Sequence, residues 1–196
     1  MKAAKTKAPG THRKPDRRVL RTRDTLGDAL FALMQEKSFD KITVQELLDR
    51  AGVGRSTFYL HYSDKHDLFL SDVEDFFEKF STALRRQGAS PKRLLPVKEL
   101  LTHVREAQEF YAAVVNSGKI NDVHALGRGF FARSIEERLQ TAGLEIDPIR
   151  RSAYAHALAG SFFSLLDWWM DKGMKADPQK MDDLFHRLAW SGLTKP

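Results

Sequence analysis

Residues 42–65 of the chain read ITVQELLDRAGVGRSTFYLHYSDK. Thr43 and Glu46 have the spacing of a capping box, in which a threonine oxygen accepts a hydrogen bond from the backbone three residues on and the glutamate reaches back. This pattern predicts a short helix directly after Thr43. Gly52 can adopt the left-handed conformation of a tight turn, and a further short helix is expected at about 55–61. Two short helices joined by a glycine-containing turn form a helix-turn-helix.

The second helix of this motif suits the major groove of DNA, where its N-terminal residues would face the base edges. Arg55 can donate to guanine O6 and N7, and the hydroxyl groups of Ser56 and Thr57 suit base edges or phosphates. We interpret Phe58 and Leu60 as core residues. Side chains that follow this helix, or that lie at the start of neighbouring helices, suit contacts with phosphates. Such contacts fix the position of the protein on the DNA but do not read its sequence. The predicted DNA-binding residues are Thr43, Gly54, Arg55, Ser56, Thr57, Tyr59, His61, Tyr62 and Lys65.

Positive charge is concentrated in the first third of the 196-residue chain, whose formal net charge is +6. Residues 1–66 carry 14 Lys and Arg against 8 Asp and Glu, whereas residues 67–196 carry 18 of each. The first residues lack any apolar periodicity, so a disordered basic arm is expected over 1–18. This asymmetry favours a nucleic-acid or anionic-membrane partner for the N-terminal end. A purely solubilising tail is the alternative.

Helical periodicity continues through the rest of the chain, and no period-2 segment indicates a strand. The predicted fold class is therefore all-α with about nine helices, in which a small basic module over 19–66 precedes a larger neutral bundle over 67–196. Ser90 starts a helix that is offset or kinked at Pro96, and two Asp-Pro pairs open the last two helices. The predicted helices span about 20–36, 44–50, 55–61, 64–86, 90–107, 109–115, 120–142, 148–172 and 178–191.

The segment around the helix-turn-helix closely resembles the DNA-binding signature of TetR/AcrR-type transcriptional regulators over about 20–72. The short helix, the Ala-Gly-Val turn, the Ser-Thr-Phe-Tyr run, an aromatic pair and Lys65 occur together at the spacings of that family. Many members have a small residue where this chain has Arg55, so their base preference is not transferred. More loosely, residues 150–190 resemble the C-terminal subtype of regulators similar to dihydroxyacetone kinase activators.

The resemblance implies a homodimer whose helix-turn-helix domains, at 19–66, grip the two halves of a near-palindromic operator in double-stranded DNA. It implies that the domain at 67–196 dimerises and binds an unknown small-molecule effector, which releases the DNA. Repression is the commoner outcome in the family. The alternative is a transcriptional activator or a protein-partner-binding module that retains the fold without ligand-controlled release of DNA.

The helix at 148–172 supports a dimer independently, because its second half is apolar nearly all round and needs cover on both sides. A two-fold partner can supply the second cover, and small residues allow close approach. Complete burial within one chain is the alternative. The candidate interface residues are Ala157, Gly160, Phe163, Leu166, Leu184 and Leu188.

Aromatic residues of the C-terminal domain are candidates for an effector pocket, because pockets are mostly apolar with few polar groups. Each of them also suits an ordinary core position. The candidate pocket residues are Phe80, His103, Phe110, Tyr111, Phe130, Tyr154 and Phe162.

No sequence pattern indicates an enzyme, a cofactor or a metal. Cys is absent, no two histidines have the i, i+4 spacing of a helical zinc site, and no Gly-rich phosphate loop or Gly-x-Ser-x-Gly elbow occurs. No run of about 18 apolar residues predicts a membrane-spanning helix. We expect a cytoplasmic protein that has no membrane partner.

Overall fold

The computed structural model describes residues 17–86 and 93–193, and within these ranges every regular element is helical. This confirms the predicted all-α fold. Residues 1–16 of the expected disordered arm lie outside the described residues, whereas Arg17 and Arg18 belong to the first helix. The α-helices of the described ranges are α1 (Arg17–Glu36), α2 (Val44–Ala51), α3 (Arg55–Tyr59), α4 (Lys65–Arg86), α5 (Val97–Glu106), α6 (Gln108–Asn116), α7 (Ile120–Thr141), α8 (Pro148–Asp171) and α9 (Pro178–Leu193).

The two Asp-Pro pairs start α8 and α9 as their chemistry predicts. The Asp147 carboxylate accepts a hydrogen bond from the Arg150 backbone N–H at 3.1 Å, and Pro148 occupies the first turn of α8. Asp177 likewise accepts from the Gln179 N–H at 2.9 Å. Both carboxylates satisfy N–H groups that have no partner within the helix, and proline lacks such a group.

α5 begins later than the sequence predicts. The helix starts at Val97, and residues 93–96 are not helical, so Pro96 marks its beginning rather than a kink. The reason is that proline disfavours helical backbone at the residue before it, which here is Leu95. The predicted start at Ser90 lies outside the described residues.

One continuous core joins an N-terminal head, α1 to α3, to a body, α4 to α9. Its buried apolar side chains run from Leu26 in α1 through Phe77 in α4 to Phe163 and Trp169 in α8. α1 packs against α2 within the head and against α4 and α6 of the body, while α7 packs against α4 and α8. Head and body therefore contact each other mainly through α1 on one side and α4 and α6 on the other.

α8 buries one face in its own chain and leaves the other exposed. Its inner face holds Phe162, Phe163, Leu166 and Trp169, each at most 6% exposed. Trp168, on the outer face, is 48% exposed. Polar and small residues occupy other outward positions of α8, so only part of the outer face is hydrophobic. The prediction of a helix that is apolar nearly all round overlooked these residues.

Candidate nucleic-acid interface

The predicted capping box is present at the start of α2. Thr43 Oγ1 accepts a hydrogen bond from the Glu46 backbone N–H at 3.2 Å, and Glu46 Oε2 accepts from the Thr43 N–H at 2.9 Å. The Lys37 ammonium group donates to Glu46 Oε1, and this bond, with those from Thr43, lowers the pKa of Glu46 to about 2. Thr43 is exposed. The start of α2 is thus both held in place and open to solvent.

A tight turn and one buried ring set the orientation of α3. Gly52 has φ +63°, a conformation that a side chain disfavours, and its N–H donates to the Leu48 carbonyl. Phe58 is fully buried, with its ring centre 5.7 Å from that of Tyr62. α3 has only five residues, so these contacts rather than its own hydrogen bonds fix its direction.

The outer face of α3, which we define as Gly54, Arg55, Ser56, Tyr59 and Leu60, is exposed to solvent. The Arg55 guanidinium lies 5.8 Å from the ring centre of Tyr59, one helical turn away. The structure therefore brings these five predicted or neighbouring residues together on one exposed surface, Gly54 through its backbone and the other four through their side chains. Two further predicted DNA-binding residues, Thr57 and His61, are half-buried.

The interpretation of Leu60 as a core residue is wrong, because its side chain is 80% exposed. Phe58 and Tyr62, four residues apart, both face the core, and helical geometry then turns Leu60 to the opposite side. The spacing of those two aromatic residues was the signal that could have identified Leu60 as part of the surface.

Tyr62 does not present a free hydroxyl group, in contrast to its prediction as a DNA contact. The side chain is buried, and its Oη accepts a hydrogen bond from Arg23 Nε at 3.0 Å. Arg23 also donates through Nη2 to Ser71 Oγ at 2.8 Å and to Asp75 Oδ2 at 2.9 Å. Tyr62 thus ties the end of the helix-turn-helix to α1 and α4.

Lys65 also differs from its prediction as a phosphate contact. Its ammonium group donates to three backbone carbonyls, those of Phe39 at 2.7 Å, Asp40 at 3.2 Å and Ile42 at 2.5 Å. An ammonium group has three donors, so all of them have partners. Burial lowers the pKa of Lys65. The residue holds the loop before α2 against the start of α4.

Most candidate pocket residues form packed core rather than a cavity. The ring centre of His103 lies 5.1 Å from Phe76, 5.3 Å from Phe80 and 6.1 Å from Tyr111. Burial lowers the pKa of His103. The space among the core aromatic residues of α4 to α8, which include Phe162, is about 20 Å³. That volume holds one water molecule, and a small-molecule pocket is typically more than tenfold larger.

Three other pocket candidates point elsewhere. Phe130 stacks on Phe77 with their ring centres 5.9 Å apart. The Tyr154 hydroxyl donates to the Gly192 carbonyl at 3.4 Å, so this ring joins α8 to the end of α9. Phe110 is 38% exposed. The sequence identified these residues as aromatic, but their directions depend on how the helices pack.

A cavity of about 580 Å³ lies between α1, α4 and α6, where head and body meet. We call it the junction cavity. Two of the candidate pocket residues, Phe110 and Tyr111, line it. Aromatic and acidic side chains contribute about half of the remaining wall, and aliphatic and basic residues contribute most of the rest. The aromatic and acidic residues are Phe31, Phe69, Phe76, Asp24, Asp28, Asp72 and Asp75.

Comparison with known families agrees with this architecture. Residues 26–71 match the family model of bacterial regulatory proteins of the tetR family, and residues 96–190 match that of a transcriptional regulator C-terminal region. The chain belongs to the TetR family. TetR-family proteins are non-enzymatic regulators that bind DNA through a helix-turn-helix, and the head of this TetR-family chain carries that motif.

Individual relatives are also regulators. The uncharacterised HTH-type transcriptional regulator YxbF of Bacillus subtilis (strain 168) is 25% identical over 158 residues, which cover 78% of this TetR-family chain and 40% of YxbF. The chain spans about half or less of the length of the curated relatives it matches.

Solved structures of TetR-type proteins share the fold. A TetR transcriptional regulator from Streptococcus agalactiae 2603V superposes with a TM-score of 0.65 at 25% identity, covering 89% of this chain and 96% of that one. The dihydroxyacetone kinase operon activator DhaS superposes with a TM-score of 0.60 at 16% identity, covering 88% and 96%. The likeness to DhaS concerns the fold alone.

The predicted interface residues of this TetR-family chain separate into two groups. Phe163 and Leu166 are buried within their own chain and are unavailable to a partner, because both face α7 and the core. Ala157, Leu184 and Leu188 are exposed, and an added Cβ at Gly160 would meet no atom within 4 Å. α8 and α9 run antiparallel, since Tyr154 reaches Gly192 while Trp169 donates to Ala176.

None of the helices in the described ranges is long and apolar enough to cross a membrane.

Proposed function

We propose that this TetR-family chain is a sequence-specific repressor that binds a near-palindromic operator as a homodimer and is released by a small molecule. The observation that carries the proposal is the outer face of α3. A short helix is held by the buried Phe58 and by the Gly52 turn, and it presents Arg55, Ser56 and Tyr59 to solvent. A rigid helix with an exposed arginine near its N-terminus matches what major-groove recognition requires.

Each exposed residue has a role that its chemistry supports. Arg55 reads guanine through O6 and N7, whereas Ser56 contacts a base edge or a phosphate. Leu60 suits the methyl group of thymine, which is an apolar feature of the major groove. Thr43, at the solvent-facing start of α2, and Tyr59 contact phosphates. Lys65 and Tyr62 support these residues by holding the head together.

The dimer interface is the outer α8–α9 face, which we define as Ala157, Gly160, Trp168, Leu184 and Leu188. Leu188 is 64% exposed and Trp168 is 48% exposed, and small residues on α8 permit a close approach. Solvent-exposed apolar side chains grouped on two neighbouring helices mark an interaction surface. A two-fold axis at this face would present two α3 helices to successive major grooves, about 34–36 Å apart.

The junction cavity is the site of the effector. Its volume of about 580 Å³ lies within the range typical of small-molecule pockets, whereas the space among the described core aromatic residues of α4 to α8 is about 20 Å³. The cavity borders α1, α4 and α6, the helices through which head and body mainly contact each other. A ligand there releases DNA if it binds the DNA-incompetent arrangement more tightly.

Selection of random duplex DNA by the purified protein tests the proposal. We expect a two-fold symmetric motif, and affinity for the selected duplex that falls steeply with rising salt as phosphate contacts release counterions. A folded dimer that enriches no motif at low salt contradicts the proposal. Co-purification would then identify a protein partner, as the alternative of a partner-binding module predicts.

A further inference from the structure

Asp72 on α4 is a half-buried carboxylate at the junction cavity. Its carboxyl group lies against Gly27 of α1, where an added Cβ would be only 2.6 Å from Asp72 Oδ2, so the missing side chain makes room for it. In the part of the chain that the structure describes, its carboxyl group forms no hydrogen bond and no ion pair. Burial, together with the charge of Asp75, raises the pKa of Asp72 to about 7.

The nearest cation does not neutralise Asp72. Arg23 lines the same cavity, but its Nη2 donates to Ser71 and pairs with Asp75 at 2.9 Å, and its Nε donates to Tyr62. Lys79 also lines the cavity and is exposed. Asp75 therefore forms an ion pair within the described residues, whereas Asp72 forms none there, although the charges of Arg23 and Lys79 partly offset the rise of its pKa.

Aromatic rings form part of the walls of the junction cavity. Phe31, Phe69, Phe76 and Phe110 all line it, and the ring centres of Phe31 and Phe110 lie 4.6 Å apart. Aromatic faces attract cations as well as apolar groups. A carboxylate that lacks a partner in such surroundings is best satisfied by a ligand of opposite charge, since burial of an unpaired charge is costly.

The larger groove along α5 and α9, of about 1030 Å³, differs from the junction cavity in the pairing of its charges. Its main charges pair with each other, because Arg93 bonds to Glu99 at 2.7 Å and to Asp182 at 2.9 Å. Within the described residues, Arg93 Nε in this groove is buried without a hydrogen-bond partner, so the groove offers a ligand a cationic donor, whereas the junction cavity offers it the Asp72 carboxylate.

We propose that the junction cavity binds a small organic cation with an aromatic or aliphatic body, whose positive charge lies against the Asp72 carboxylate while the rings of α1, α4 and α6 enclose the rest. The cation site deepens the proposed function. It rests on that function only for the effect of the bound cation on DNA binding. Arg23 connects the site to α3, because it bonds to Tyr62, whose ring packs on Phe58. A bound cation repels Arg23 and weakens that connection, so it lowers the affinity for DNA.

Calorimetry without DNA tests the binding step, with tetraphenylphosphonium as the probe and tetraphenylborate as its counterpart of similar shape and opposite charge. At pH 8, where Asp72 is ionised, we expect the full-length protein to bind the cation and not the anion. Asp72→Asn should weaken cation binding at least about tenfold. Phe110→Ala should weaken it too, and Glu74→Gln, an exposed position on α4 outside the cavity, should leave it unchanged.

Three results would overturn this proposal: no binding of tetraphenylphosphonium at millimolar concentration, equal binding of both ions, or unchanged affinity in Asp72→Asn. Circular dichroism of each variant shows whether it is folded. Phe110→Ala supplies an independent test if Asp72→Asn misfolds. Binding of the cation by a protein that selects no DNA motif would contradict the proposed function and leave the cation site intact, so the two failures are distinguishable.

Discussion

Arg55 and Lys65 are both basic residues of the head, yet their surroundings give them different tasks. Arg55 projects from the outer face of α3, with the Tyr59 ring as its neighbour. The Lys65 ammonium group turns inward and bonds to three carbonyls. A charged side chain contributes to DNA recognition only where its donors are available, so the two residues should respond differently to substitution.

Arg55→Ala should relax base preference at one position of each half-site. Loss of a bidentate contact to guanine costs about 1–3 kcal/mol in binding free energy. Titration of the selected duplex and of duplexes mutated at each base pair measures this loss. Unchanged affinity and unchanged preference would show that Arg55 does not read a base.

Lys65→Ala should destabilise the head rather than weaken phosphate binding alone. Three carbonyls lose a charged donor, which corresponds to about 1–3 kcal/mol in the free energy of unfolding. Urea denaturation measures the loss, and Lys41→Ala, an exposed lysine of the neighbouring 3₁₀ turn (Phe39–Lys41), is the matched control. A stable Lys65→Ala variant whose salt slope for DNA falls by about one would instead make Lys65 a phosphate ligand.

At the scale of elements, the contact between α1 and α4 includes an unfavourable charge. Asp72 of α4 lies against the Gly27 backbone of α1, while Arg23 and Asp75 connect the same helices favourably at 2.9 Å. Because the folded-state pKa of Asp72 is raised, its ionisation favours unfolding. The ionised carboxylate therefore does not stabilise this contact, which agrees with the cation-binding role proposed for it.

Asp72→Asn should therefore stabilise the protein in a pH-dependent manner. The folded state holds the Asp72 proton up to about pH 7, whereas the unfolded chain releases it near pH 4, so the destabilisation grows between these values and is complete above pH 7. The gain in unfolding free energy should be on the order of 1–3 kcal/mol at pH 8 and close to zero at pH 4. Urea denaturation across this range checks it, and a gain that is equal at every pH would exclude ionisation as the cause.

The sequence predicted local features of the elements better than contacts between them. Thr43, Asp147 and Asp177 act on backbone groups two or three residues away, so their pattern located the starts of α2, α8 and α9. The directions of Phe163 and Tyr154 depend on which helices pack beside them. Phe110 and Tyr111 were candidates from the sequence, but the junction cavity as a whole had no sequence signal, because its walls come from α1, α4, α6 and Val123 of α7, which lie far apart in the chain.

At the scale of the whole molecule, the proposed dimer brings two heads to one DNA duplex through the outer α8–α9 face. The body has no net charge, whereas the first 66 residues hold the entire positive excess. Two bodies can therefore associate without strong repulsion, while two basic heads meet a polyanion. This arrangement separates the self-associating surface from the DNA-binding surface.

Leu188→Glu should convert the dimer into monomers, because it introduces a charge into an apolar contact. Size-exclusion chromatography with light scattering measures the mass. Val115→Glu replaces another exposed apolar residue, 44% exposed on α6 and away from this face, and should remain dimeric. A dimeric Leu188→Glu variant would move the interface to another surface.

The neighbouring tryptophans of α8 lie in contrasting environments. Trp169 is fully buried and its Nε1 donates to the Ala176 carbonyl at 2.9 Å, whereas Trp168 lies half-exposed on the outer face. Dimer dissociation on dilution should thus shift the intrinsic fluorescence to longer wavelength, and Trp168→Phe should abolish the shift. An unchanged shift in Trp168→Phe would assign it to another tryptophan. In the proposed dimer, Trp168 would be a natural optical reporter of assembly, beside Trp169, which is buried within its own chain.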